Sequence, residues 1–266
     1  MGSKKGLTYI IEQRYCLIIL GILPQLRYNY KSGPPPMNRD IEKIQKVWIT
    51  SGHRELWDCD GTYCVVDYGK VPKIGDFQND FSWLFTNDGH QYSCTLDSPD
   101  NKIDNLKDVV QKCRLLGLSI SDSFIRFLSD KNLQAQVPTC TACFLELSES
   151  PIPVPCNPGY YALRFMNDSQ SCVMWYLLLK NDLPNTVVAS SLFYDRDIFD
   201  AMINEDDPFD YSNIVSETVE CAETFPEFIY RFWIENSIWY SINDNLPLSN
   251  LQTKYIQSVK VSKVRQ

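Results

Sequence analysis

Two apolar runs constrain this chain most. Tyr160–Phe165 and Ser171–Lys180, written YYALRF and SCVMWYLLLK, flank a polar tip at Asn167–Gln170. Strand-forming residues on both sides of an Asn167-Asp168 turn specify an antiparallel hairpin. The text around it supplies further layers. Ser121–Asp130 reads as a short amphipathic helix with Phe124, Ile125, Phe127 and Leu128 on its inner face. Val137–Leu147 is a cysteine-bearing extended run, and the proline-rich SPIPVPCNPG leads from it into the hairpin.

The remaining elements follow the same two periods. Asn38–Ile49 places Ile41, Ile44, Val47 and Trp48 at helical spacing. Glu55–Leu96 reads as two hairpins, turning at Asp60-Gly61 and at Asn87-Asp88-Gly89. Asp100–Leu116 reads as a helix that Asp104 or Asn105 caps, that Gly117 ends, and whose buried stripe is Leu106, Val109, Val110, Cys113 and Leu116, with Leu115 beside it. Thr186–Ser191 is a strand. Phe193–Asp210 carries six aspartates and one glutamate and reads as an exposed acidic loop. Glu217–Ser241 reads as a long helical region, with Pro226 in the first turn of the helix from Phe225. The core is expected around Phe124, Phe127, Phe165, Trp175, Phe228 and Phe232.

The N-terminal run Tyr15–Leu23 is too short to span a bilayer, which takes about 20 residues in a helix. It lacks a clean signal-peptide cleavage site. The break Gly33-Pro34-Pro35-Pro36 precedes Met37, so residues 1–36 are expected to form a poorly ordered extension, with Met37 a second candidate start.

Net charge is −8 and the pI about 4.9. Such a chain repels phosphate backbones, which argues against nucleic acid as a partner and suits a basic protein. Ten cysteines in 266 residues invite a disulfide framework. A chain this long does not need staples, and Cys113, Cys172 and Cys221 sit among apolar neighbours, so a reduced, cytoplasmic protein is expected.

Chemistry is sparse. Cys140-Thr-Ala-Cys143 has the spacing of half a zinc site or of a redox pair. With no second such pair, the expectation is structural thiols; the alternative metal set is Cys140, Cys143 and Cys156, with Cys59 and Cys64 as further candidates. His53 and His90 lie in polar loop text away from any nucleophile pattern. No nucleophile elbow, phosphate loop, zinc-protease or dinucleotide motif occurs, so neither a catalytic residue nor a cofactor is expected. Asp195, Asp197, Asp200, Glu205, Asp206 and Asp207 lack the glycine and terminal glutamate of a calcium loop. They are the candidate partner-binding surface.

The order of these elements resembles the SUKH superfamily. LGLSISDSFIRFLSD resembles its signature helix, RFMNDSQSCVMWYLLL its central hairpin, TVVASS its valine-rich strand and ETFPEFIYRFW its closing helix. The match runs over about residues 106–240, half the chain. Ile120-Ser121 stands where the family has Leu-Pro, Ser169 replaces the hairpin glycine, and the CTAC segment is an addition.

The resemblance implies an α+β fold: a curved, mostly antiparallel sheet packed against helices. Residues 102–266 would form that domain, and residues 37–101 a β-rich extension of the sheet or an appendage. It implies a non-enzymatic protein-binding module, such as an immunity protein that neutralises a toxin with a basic surface by occlusion. The alternatives are a metal- or thiol-dependent protein built on Cys140 and Cys143, and a membrane-surface protein using Tyr15–Leu23.

Overall fold

The computed structural model describes residues 44–51, 54–57, 61–73, 80–86, 91–154, 159–195 and 217–264. The expectations for residues 1–36, including Tyr15–Leu23, and for His53, Cys59, His90 and Cys156 fall outside them.

The architecture is α+β. Eight strands form one open sheet: β1 Gln45–Ser51, β2 Tyr63–Asp67, β3 Phe144–Leu145, β4 Ile152–Pro153, β5 Tyr160–Asn167, β6 Met174–Lys180, β7 Thr186–Ser190 and β8 Thr218–Ala222. Their order is β2-β1-β8-β7-β6-β5-β3, with β4 also paired to β5. Among the ladders of the described strands only β1–β8 is parallel. The expected hairpin is β5–β6, with Tyr160 opposite Lys180 and Asn167 opposite Met174. The helices are α1 Arg54–Trp57, α2 Leu106–Leu115, α3 Asp122–Ser129, α4 Lys131–Ala135, α5 Phe225–Asn243 and α6 Asn250–Val264; α5 lies against β1, β7 and β8, and α3 and α6 pack on α5.

Helix α5 organises the interior. Thr224 caps it by accepting the Glu227 N–H at 3.3 Å, and proline occupies its first turn. From Phe225 to Ser241 only Glu227 and Trp239 escape burial. A helix apolar nearly all round must be enclosed by other elements. Phe225 meets Phe124, Phe127 and Phe165 edge-on, with ring centres 4.9 to 5.6 Å apart. The six aromatic residues expected in the core are all there.

Five expectations are corrected. Residues 45–51 are strand, not the end of a helix: Val47, Ile49 and Thr50 are β-branched, and β1 is held on one side by β2 and on the other by β8. Residues 54–57 are helical, so β2 pairs with β1 rather than with the text before Asp60. Residues 82–86 form a 3-10 turn, started by Asp80 accepting the Ser82 N–H at 3.0 Å, where a hairpin strand was expected. The long C-terminal helix does not begin at Glu217, because Thr218–Ala222 is strand β8. In α2 the buried stripe is Leu106, Val109 and Cys113, while Leu115 and Leu116 are exposed.

The expectation of wholly reduced cysteines is also corrected. Cys64 is disulfide-bonded. The other described cysteines, at 94, 113, 140, 143, 172 and 221, carry thiols. No helix among the described residues is long and apolar enough to cross a membrane.

Candidate binding cleft

Arg164 is a lone charge in an apolar strand. It lies next to the irregularity in β5 where the β6 register shifts between Arg164 and Met166, and a bulge of this kind re-aims side chains. Only 4% of the residue is exposed. A buried guanidinium needs counter-charge and hydrogen bonds together. Both are supplied. Nε lies 3.2 Å from each carboxylate oxygen of Asp195, and Nη2 donates to Oδ2 at 2.5 Å. Nη1 donates to Glu146 Oε2 at 2.5 Å. The Asn167 amide donates to the same Glu146 oxygen, and Lys102 Nζ reaches Glu146 Oε1 at 3.3 Å. The Arg164 backbone N–H is taken by Ser148 Oγ at 3.1 Å.

The electrostatics follow from this clamp. Burial pushes the Glu146 carboxyl up, but the hydrogen bond and charge of Arg164, with Lys102 behind them, outweigh it and hold the carboxyl below its ordinary value. Burial disfavours the Arg164 cation, and Asp195 and Glu146 more than restore it.

The clamp sits in a cleft of about 990 Å³. One wall is residues 101–112, running into α2, and the other is residues 146–153. The two are stitched together: Lys102 N–H donates to Leu145 O at 2.8 Å, Leu147 N–H to Lys102 O at 2.9 Å, and Lys112 Nζ to Glu149 O at 2.8 Å. Asn105 stands at the helix N-cap, yet its amide crosses to Ser148 O at 3.4 Å instead of capping. Asp104, Asp108, Glu146, Glu149 and Asp195 line the cleft against Lys102, Lys112 and Arg164, a surplus of two negative charges.

Of the expected acidic surface only Asp195 is described, and it is not a solvated loop residue. Its carboxylate closes the Arg164 clamp, because a buried cation in β5 outcompetes water for it. Asp197, Asp200, Glu205, Asp206 and Asp207 lie outside the described residues. The acids that line the cleft beside Asp195 come from Asp104, Asp108, Glu146 and Glu149. These are remote in sequence, and only the charge of Arg164 within an apolar run signalled them.

The thiols of the CTAC segment face different neighbours. Cys140 Sγ donates to Ser51 Oγ at 3.4 Å, and its N–H to Asn236 Oδ1 at 2.8 Å. Cys143 Sγ lies 3.2 Å from Thr141 Oγ1 and 3.6 Å from the Tyr63 hydroxyl. Burial pushes the Cys140 thiol up to about 11 and the Cys143 thiol up to about 12. In the metal-free protein both thiols are therefore protonated at neutral pH, which makes them poor nucleophiles. Among the described residues no three histidine, cysteine, aspartate or glutamate side chains gather to hold a metal ion.

No family model, no curated protein and no solved structure matches the chain.

Proposed function

We propose that the chain is a non-enzymatic protein-binding module whose partner seats in the Arg164 cleft. The observation that carries this reading is the cleft itself: about 990 Å³, with walls hydrogen-bonded to one another, and floored by a cation that its own carboxylates already satisfy. The lining does not present Glu146 as the acid of a carboxylate acid–base pair. A carboxylate pair working as acid and base needs one member held protonated. Here Arg164 holds Glu146 in the opposite direction. Capture of a toxin by occlusion, as in the SUKH immunity proteins that the sequence resembles, is the specific form of this reading. The Cys64 disulfide favours an oxidising setting over the reduced cytoplasmic one.

The test is a blocked cleft. Ser150 is exposed and lines the mouth. Ser150→Trp fills space there without touching the clamp. The protein, tagged and cross-linked in extracts of the cells that make it, should retain a partner that the variant loses by about tenfold, the scale of one lost interface contact. Equal recovery by both, with matching melting temperatures, would defeat the proposal.

A further inference from the structure

We infer that the cleft recognises an extended segment of its partner that presents lysine or arginine side chains, an inference that rests on the protein-binding reading above. The charges in the cleft fall into two sets. Arg164 is held by Asp195 and Glu146, and Lys102 pairs with Glu146 as well. Lys112 Nζ donates to the Glu149 carbonyl, which is neutral, so its charge has no ion-pair partner among the described residues. The second set is Asp104, Asp108 and the Glu149 carboxylate. All three are exposed, and none has an ion-pair partner among the described residues. Three unpaired carboxylates against the one unpaired ammonium of Lys112 leave the cleft negative by two.

An anionic ligand meets two obstacles. It would have to displace Asp195 from a two-pronged contact with Arg164, and it would approach against the surplus charge. A cationic side chain meets neither.

The walls add a shape. Asp104 precedes the Asn105 N-cap and Asp108 stands in the first turn of α2, and both line the cleft. Opposite them, Pro151 and Pro153 offer carbonyls but no N–H, so an incoming strand cannot build a full ladder there. Recognition then falls to side chains. Leu147, Ile152 and Tyr194 line the same space and give apolar cover for the methylene stem of a lysine or arginine whose head reaches the carboxylates.

The probe is a fluorescein-labelled peptide of glycine and serine carrying two lysines, titrated with the full chain and followed by anisotropy. Asp104→Asn with Asp108→Asn should weaken binding by about tenfold, because two facing charges are lost. The charge-matched pair Asp97→Asn with Asp182→Asn, outside the cleft, should change it by less than about twofold. The same peptide with glutamate for lysine should not bind. Equal losses in the two double variants, tight binding of the glutamate peptide, or no binding of the lysine peptide would each overturn the inference. The partner of the preceding test separates the two readings. If Ser150→Trp abolishes its capture and the Asp104/Asp108 pair leaves it intact, basic-segment recognition falls and protein binding stands. If neither variant affects capture, protein binding falls.

Discussion

Glu235 in α5 and Arg164 in β5 pose the same physical problem, and the protein solves it in opposite ways. Each is a charged side chain in an apolar element, 1% and 4% exposed. Glu235 is met by neutral donors from three other elements: Trp48 Nε1 of β1 at 2.8 Å, Trp57 Nε1 of α1 at 2.9 Å and the Tyr255 hydroxyl of α6 at 2.8 Å. Arg164 is met by carboxylates at 2.5 Å on two sides. The first solution is closed, since every bond points inward and fastens β1, α1 and α6 to the central helix. The second opens on the cleft, so the clamp's charge becomes part of a surface. A buried charge therefore marks structure or a candidate site according to what answers it.

The titration of the two centres should separate them. Burial pushes the Glu235 carboxyl up, against the hydrogen bonds it accepts. The Arg164 clamp pulls Glu146 down despite burial.

The largest effect is expected from Glu235→Ala. It leaves three buried or half-buried donors without an acceptor, and each such group costs about 1–3 kcal/mol. A loss of about 4–5 kcal/mol in urea unfolding is expected, a large share of a typical domain's stability. A loss below about 1 kcal/mol, within the range of an ordinary surface change, would show that Glu235 does not fasten the three elements.

Arg164→Met should cost less, about 2–3 kcal/mol, although breaking a buried ion pair usually costs 3–5. The reason is the cleft: the side chains of Glu146 and Asp195 are 14% and 23% exposed, so water can reach them once the cation has gone. A loss larger than that of Glu235→Ala would erase the distinction between a closed and an open centre.

Much of the fold could be read from the sequence, because aromatic spacing and the β5–β6 pattern are local signals. Phe124, Phe127, Phe165 and Phe228 announce their burial through their neighbours. The parallel β1–β8 ladder could not be read that way, since it joins residues 45–46 to 219–220 and each strand taken alone also fits a helix. The cleft was hidden for the same reason, as its walls and floor come from residues 101–112, 146–153, 164 and 194–195. Both charged centres did leave a signal that composition overlooks. Arg164 is a lone charge inside an apolar run, and Glu235 stands with Arg231 in a helix that is otherwise mostly apolar; such residues are rarely buried unless paired. Asp195 misled because it stands among other acids, and nothing local says that one of them is claimed by a distant arginine.

The pH dependence of stability sharpens the comparison with a smaller effect. Glu146 titrates lower folded than unfolded, where a glutamate has a pKa of about 4.3. Its contribution is present above that value and is lost as pH falls through the depressed folded pKa. Glu235 titrates higher folded than unfolded. Its contribution is complete below about pH 4.3 and is lost as pH rises through the raised folded pKa. Urea midpoints across pH should therefore lose their acid-side fall in Glu146→Gln and their fall toward higher pH in Glu235→Gln. Slopes of the same sign would contradict the assignment.

The smallest effect comes from Tyr255→Phe, which tests how finely the closed centre is built. Tyr255 is 6% exposed and is the only α6 side chain among the described residues whose hydroxyl reaches Glu235. Its hydroxyl shares Oε1 with Trp57, while Trp48 holds Oε2. Removing it leaves each oxygen one donor, so the loss should match a single hydrogen bond, about 0.5–1.5 kcal/mol. The hydroxyl also favours the ionised carboxylate, so without it the Glu235 pKa should rise further. The native state then holds its proton over a wider range, and unfolding is favoured over that range as pH rises. The deficit of Tyr255→Phe relative to the parent should accordingly grow from acid toward neutral pH. A deficit that stays flat across that range would mean that the phenol packs α6 against α5 without reading the charge on Glu235.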